Sequence, residues 1–347
     1  MRELFRGSIG SVLLVIAGTV VSAQAGAQSG ADCDRGCLEA WVDTYLDAVI
    51  ADDPSAVRFA RNVRFTEDGQ QLELGDGLWN TMKAKGSYRL FVTDVEAQQV
   101  AFIGTIDEDH RDPAQATPAL LGLRLKIEQE SIAEVEQMVV RSADAARRVA
   151  ALESPHPLYR QTIQRDKRMS RAELIATANK YFSGMQQNDG LGDYPFSEDC
   201  NRVENGSLTT NQPTPFRQQR PDPETSSSYS GQWGCLEQFE SGLLHFVNRI
   251  RDRRFVAVDE ARGLVYAIVF FDHSGGDSRR FTTPTGREVE AGPTQPWTWY
   301  IGEVFKVEDG KLRQIEAILQ QVPYGMNSGW SNWEDGMSDH IQNVTGL

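Results

Sequence analysis

The chain has 347 residues, 40% hydrophobic and 24% charged, a composition that excludes wholesale disorder. Its 35 Lys and Arg stand against 49 Asp and Glu, giving a formal net charge of −14 that repels phosphates, and it has no run of basic residues. Nucleic acid is therefore excluded as a partner, and a length of about two typical domains is the starting expectation.

In chain order, residues 1–27 read as a secretory signal peptide. Arg2 and Arg6 precede an apolar run from Val12 to Val21, and Ala23-Gln24-Ala25 and Ala25-Gly26-Ala27 both fit an A-x-A cleavage site. No later run reaches the ~18 apolar residues of a membrane span, so the mature chain is expected to be exported, periplasmic or secreted, and off the membrane after cleavage. Cys33, Cys37, Cys200 and Cys235 are an even number in an exported chain, which favours disulfides. Three pairings are open. Cys33–Cys37 with Cys200–Cys235 is preferred because each pair stays within one half of the chain. Without His at ligand spacing near either pair, no metal is expected.

Residues 38–140 and 171–322 carry the same pattern twice. Leu38, Trp41, Val42, Tyr45 and Val49 form one apolar helical stripe, and Leu174, Ala178, Tyr181, Phe182 and Met185 form another. Phe59 to Gly69 then lines up with Phe196 to Gly206, ending in Glu67-Asp68-Gly69 and Glu204-Asn205-Gly206, which is hairpin chemistry. Asp94–Asp107 aligns without a gap to Asp259–Asp272, a turn entering a long strand. Leu125–Glu136 aligns to Phe305–Glu316, a hairpin. Four matches in one order imply a duplication. The organisation that follows is a first domain over 33–149, a linker over 150–170 containing Pro155 and Pro157, a second domain over 171–335 and a tail over 336–347. The second half has two extra polar stretches, 211–234 and 274–296, readable either as lids or as disorder.

In the second half a helix, the Glu-Asn-Gly hairpin, a further helix carrying Leu236, Phe239, Leu243, Phe246 and Ile250, and three long antiparallel strands make an α+β pattern. This order resembles the nuclear transport factor 2-like superfamily, which includes SnoaL-like polyketide cyclases, scytalone dehydratase and ketosteroid isomerase. The resemblance covers both halves and rests on element order and the closing hairpin. It implies two tandem cone-shaped α+β barrels, each with a deep apolar pocket, packed as an intramolecular pseudo-dimer in a monomeric chain. Leu74-Gly-Asp-Gly-Leu-Trp79, Val258–Val265, Phe271-Asp-His273 and Val322-Pro-Tyr-Gly-Met326 also resemble a secreted family of bacteria and fungi, to which no activity attaches.

The principal site is expected in the second half, where the extra loops and aromatic residues cluster. Asp272 and His273 end an apolar strand, and strand alternation allows only one of them into a pocket. Glu316, like its repeat mate Glu136, sits in an apolar strand. It either lines the cavity or pairs across the sheet with Lys306. His273, Asp272, Glu316 and Tyr324 are the candidate catalytic residues, Tyr324 as an oxyanion donor. Trp297, Trp299 and Trp330 are candidates for stacking on a ligand, and Asp199 and Glu204 for binding it. His245 is placed on the polar face of its helix, in solvent. Phosphate loops, nucleophile elbows and dinucleotide fingerprints are absent from the sequence, so no cofactor is expected. The leading expectation is a cofactor-free lyase, dehydratase or isomerase acting on a hydrophobic or carbohydrate-derived small molecule. The alternatives are an exported binding protein for such a molecule and a structural protein with filled cones.

Overall fold

The structure is a computed structural model and describes residues 32–109 and 116–344; residues 1–27, read from the sequence as a signal peptide, lie outside the described residues. Helix α1 (Arg35–Ala51) is followed by β1 (Phe59–Glu67), β2 (Gln70–Gln71), β3 (Met82–Asp94), β4 (Gln99–Glu108), β5 (Thr117–Glu128) and β6 (Ser131–Val140). Helix α2 (Ala143–Ala150) closes the first repeat. The second opens with α3 (Arg171–Met185) and continues through β7 (Phe196–Glu204), β8 (Ser207–Leu208), α4 (Cys235–Glu240), β9 (Arg249–Asp259) and β10 (Leu264–His273). It ends with β11 (Arg280–Thr282), β12 (Glu288–Glu290), β13 (Trp297–Glu308), β14 (Lys311–Val322), α5 (Trp333–Gly336) and β15 (Ile341–Gln342).

The duplication is visible strand by strand. The first sheet runs β2-β1-β6-β5-β4-β3 and the second runs β8-β7-β14-β13-β10-β9-β15. In each, the hairpin strand lies parallel to the last long strand of its repeat, β1 on β6 and β7 on β14, while the long strands are antiparallel to one another. The fold is thus mixed α and β, with two large open sheets and few helices. The sheets do not close into barrels.

Four layers follow from where the apolar side chains point. Leu121, Leu123 and Leu125 of β5 face α1, where they meet Leu38, Val42 and Tyr45. Leu120 turns the other way, to a core shared with Tyr266, Ile268 and Phe270 of the second sheet. The far face of the second sheet packs on α3 through Leu174, Ala178 and Phe182. Each sheet is covered on both faces, so β10 is buried at every residue and reads as one continuous apolar run rather than an alternating one. Residues 150–170 are part of this packing: Tyr159 is buried in the shared core, and the Ile163 amide donates to the Ala261 carbonyl. Both repeats belong to one compact unit.

The interface between repeats is reciprocal. Arg35 of the first repeat pairs with Asp259 of the second at 2.7 Å, and Arg171 of the second pairs with Asp94 of the first. The same exchange recurs between the sheets. The Tyr300 hydroxyl donates to Glu136 at 3.1 Å, and the Tyr88 hydroxyl donates to Glu316.

Three expectations change. The helix expected to run through Ile250 stops at Glu240, because Gly242 adopts φ +69° and a Cβ there would lie 2.6 Å from Pro284. Leu243, Leu244 and Val247 are still buried, without helix. His245, expected in solvent, is half-buried, stacked on Phe281 and bonded through Nδ1 to the Asn188 carbonyl. The polar stretches 211–234 and 274–296 are tied to the body: Trp233 packs with Leu243, Phe281 and Val289 in a small core of their own.

Two disulfides, Cys33–Cys37 and Cys200–Cys235, are present as paired from the sequence. They fit a protein outside the reducing cytosol. Among the described residues no helix is long and apolar enough to cross a membrane. The Cys200–Cys235 bond closes a 35-residue separation and ties β7 to α4. Replacing both cysteines with alanine is expected to lower stability by roughly 2–4 kcal/mol, read as a fall in the urea midpoint at unchanged slope.

Candidate functional site

The second repeat encloses a half-open cavity of about 170 Å³ on the α3 side of its sheet, a volume in which apolar sites hold a benzene-sized molecule. Residues two apart on a strand share a face, so β13 presents Trp299, Ile301 and Glu303 to it. Register places Ala317 of β14 beside Glu303 and Leu319 beside Ile301. On β7, Arg202 and Glu204 follow, with Glu204 next to Ala317. Helix α3 contributes Tyr181 and Met185, one turn apart. The chain beyond Gly242 supplies Leu244, Phe246 and Val247.

At one end lies a compact polar group. Glu303 is 2% exposed, and its Oε2 has no hydrogen-bond partner. Burial pushes its carboxyl up to about 8, with the Arg202 guanidinium and the Tyr181 hydroxyl pulling the other way and Glu204 adding to the rise. Arg202 is also buried. It donates to Gln238 Oε1 at 2.9 Å and to Glu204, and its guanidinium lies 5.6 Å from the Tyr181 ring centre, while its Nε is without a partner. Gln238 holds Arg202 from α4 and is itself anchored by donating to the Thr209 and Ser230 carbonyls. Tyr229, bonded to the Thr209 carbonyl, also lines this cavity. Burial raises the Tyr181 hydroxyl well above its usual range, so it stays protonated.

His273 marks the other end. It pairs with Trp297 where Ala267 pairs with Glu303, a separation of about 20 Å along the strand. Its ring is held between Trp297, at 4.0 Å between centres, and Phe246, at 6.0 Å. Burial lowers it to about 4, against the pull of Asp272, so it is neutral at pH 7.

Of the residues singled out from the sequence, His273, Trp299 and Glu204 line the cavity. Asp272 does not. It faces the opposite side of β10, fully buried, where it accepts from Arg249 at 2.6 Å, Arg251 at 2.8 Å and Thr298 at 2.7 Å. Glu316 also faces away, toward the first repeat, and takes the Tyr88 hydroxyl rather than Lys306. Burial lifts it to about 7, with the hydrogen bond from Tyr88 pulling down. Tyr324 is 44% exposed beyond β14. Trp297 backs the His273 ring. Trp330 is held between the Arg64 and Arg124 guanidinium groups, each 4.5 Å from its ring, with its indole N–H on Thr66. Asp199 sits on the surface, where hydrogen bonds from Arg313 and Ser197 lower it to about 2.

The sequence reading overlooked Glu303, Arg202, Tyr181 and Tyr229 as a group. Two signals were available. Trp299, Ile301 and Glu303 share one face by simple alternation. Extending the repeat alignment sets Leu123 against Glu303 and Phe65 against Arg202, and both partners are core residues of the first repeat. The charges of Glu303 and Arg202 are therefore confined to the second copy. Glu67, the mate of Glu204, is fully engaged in the first copy by the Leu78 amide at 2.7 Å, Gln137 at 2.9 Å and Arg141 at 2.9 Å. No group of three or more His, Cys, Asp or Glu among the described residues is placed to hold a metal ion.

Fold and site together define a fused two-repeat α+β protein with a polar-floored cavity in its second repeat. The chain belongs to the family described as a domain of unknown function (DUF8021), whose model matches residues 31–139 and 167–319. The two matched segments coincide with the two repeats. No curated protein matches it. Among solved structures it is similar to AclR, a candidate hydroxylase from Streptomyces galilaeus, with 13% identity over 33% of this chain and 85% of that one and a TM-score of 0.27. A de novo designed protein with a curved β-sheet gives 16% identity over 44% of this chain and 88% of that one, with a TM-score of 0.23. At these scores the likenesses bear on neither fold nor function.

Proposed function

We propose that this chain is an exported, cofactor-independent enzyme of the nuclear transport factor 2-like kind. It acts by general acid–base chemistry on an apolar small molecule in the second-repeat cavity. The reaction class is elimination, hydration or isomerisation. One observation carries the reading: a buried carboxyl, Glu303, with an unpartnered oxygen at the floor of an apolar cavity. A carboxyl lifted to about 8 holds its proton at pH 7, yet is close enough to that pH to give it up and take it back. Arg202 and Tyr181 stabilise the charge that appears when it does. His273 lies too far along the strand to share the same proton.

The second reading is a binding protein that holds its ligand unchanged, favoured by the single proton-handling group at the floor. Turnover of cyclic alcohols, enols and ketones followed by NMR separates the two. Glu303→Gln is expected to cut turnover by roughly 10²- to 10⁴-fold, and the parent's rate profile is expected to bend near pH 8. An undiminished rate in Glu303→Gln removes the acid–base reading. Tight binding with no turnover leaves the binding protein.

A further inference from the structure

Resting on that cavity reading, we propose that its ligand is a neutral single-ring molecule carrying a hydroxyl group, of the phenol type. Size comes first. About 170 Å³ accommodates one ring with small substituents, and Phe271, Trp299, Ile301 and Leu244 supply walls for its faces. The polar end sets the functional group. Arg202 Nε–H is a buried donor with nothing to donate to, and Glu303 Oε2 is a buried oxygen with nothing bonded to it. A hydroxyl is the smallest group able both to accept from a guanidinium and to donate to a carboxyl oxygen. A methyl in its place leaves both atoms desolvated and unmatched, which costs more than a hydrogen bond gains. A carboxylate fits the charge poorly. Arg202 is already neutralised by Glu204, so an added anion beside Glu303 has no free positive charge to meet.

The test is calorimetric binding of 4-methylphenol, toluene and benzoate to the full mature chain at pH 7. 4-Methylphenol and toluene differ only in the hydroxyl, and benzoate puts a carboxylate on a ring without the methyl. 4-Methylphenol is expected to bind at least ~10-fold more tightly than toluene, in line with one or two hydrogen bonds to buried partners, and more tightly than benzoate. Glu303→Leu is expected to narrow the preference for 4-methylphenol over toluene, leaving only the bond accepted from Arg202. Equal binding of 4-methylphenol and toluene to the parent, or tighter binding of benzoate, overturns the proposal while leaving the cavity and its chemistry standing. Failure of all three probes to bind removes the proposal and the cavity reading together. Preferential 4-methylphenol binding without turnover of any hydroxylated ring upholds the ligand class and removes only the enzyme.

Discussion

Replacing Arg254 with methionine is expected to cost roughly 3–5 kcal/mol of stability, the range for removing one partner of a buried ion pair. Arg254 is 1% exposed and lies between the sheets. It donates through Nη1 and Nη2 to the two carboxylate oxygens of Glu136 at 2.9 and 2.7 Å, from the second repeat to the first. Without it Glu136 keeps Arg124 Nε at 3.2 Å and the Tyr300 hydroxyl, but loses its bidentate partner in a site closed to water. Removing both charges, as Arg254→Met with Glu136→Met, is expected to cost clearly less than Arg254→Met alone. Arg124 is still held by Glu134 at 2.6 Å and Gln99 at 2.8 Å. Urea unfolding of parent, single and double variants measures this. A double variant as unstable as the single one shows that the loss comes from packing or from Asp252, which Arg254 also meets at 3.3 Å, and not from a stranded Glu136.

The second large effect is on pH dependence. Glu303→Gln is expected to stabilise the protein above pH 7 while leaving it unchanged near pH 4. In the fold the carboxyl titrates near 8, and in the unfolded chain near its ordinary 4.5. From pH 4.5 upward the unfolded chain sheds this proton and the fold does not, so unfolding gains in favourability with each pH unit until about 8. At about 1.4 kcal/mol per unit, the penalty at pH 7 is on the order of 3 kcal/mol, and glutamine abolishes it. Glu316, near 7, tilts the curve the same way, and His273, near 4, tilts it the other way. The difference between variant and parent cancels both. A flat difference from pH 4 to pH 8 shows that Glu303 titrates in the fold as it does in the unfolded chain.

Much of the architecture could be read from residue order, for local reasons. Period-3.6 stripes placed α1 and α3, the turn dipeptides placed both short hairpins, and repetition identified two copies of one unit. The site was harder because both faces of each sheet are covered. Alternation allowed only one of Asp272 and His273 into a pocket and left Glu316 open, and a buried side chain here can face either a helix or the other repeat. Asp272 and Glu316 took the second, where Arg251 and Tyr88 meet them. Glu303 took the first. One strand taken alone cannot distinguish these cases, whereas Leu123 and Phe65 at the matching places in the first copy do. The overextended helix failed for another reason: its apolar spacing was periodic, but a glycine in a left-handed conformation ended it.

The crossed pairs Arg35–Asp259 and Arg171–Asp94 have an evolutionary consequence. Two identical subunits meeting about a twofold axis would change both of these contacts with every substitution, and would alter both cavities alike. Once the halves share a single gene, each position varies alone. One copy can remain a scaffold while its sibling accumulates ionisable groups at the floor of its hollow.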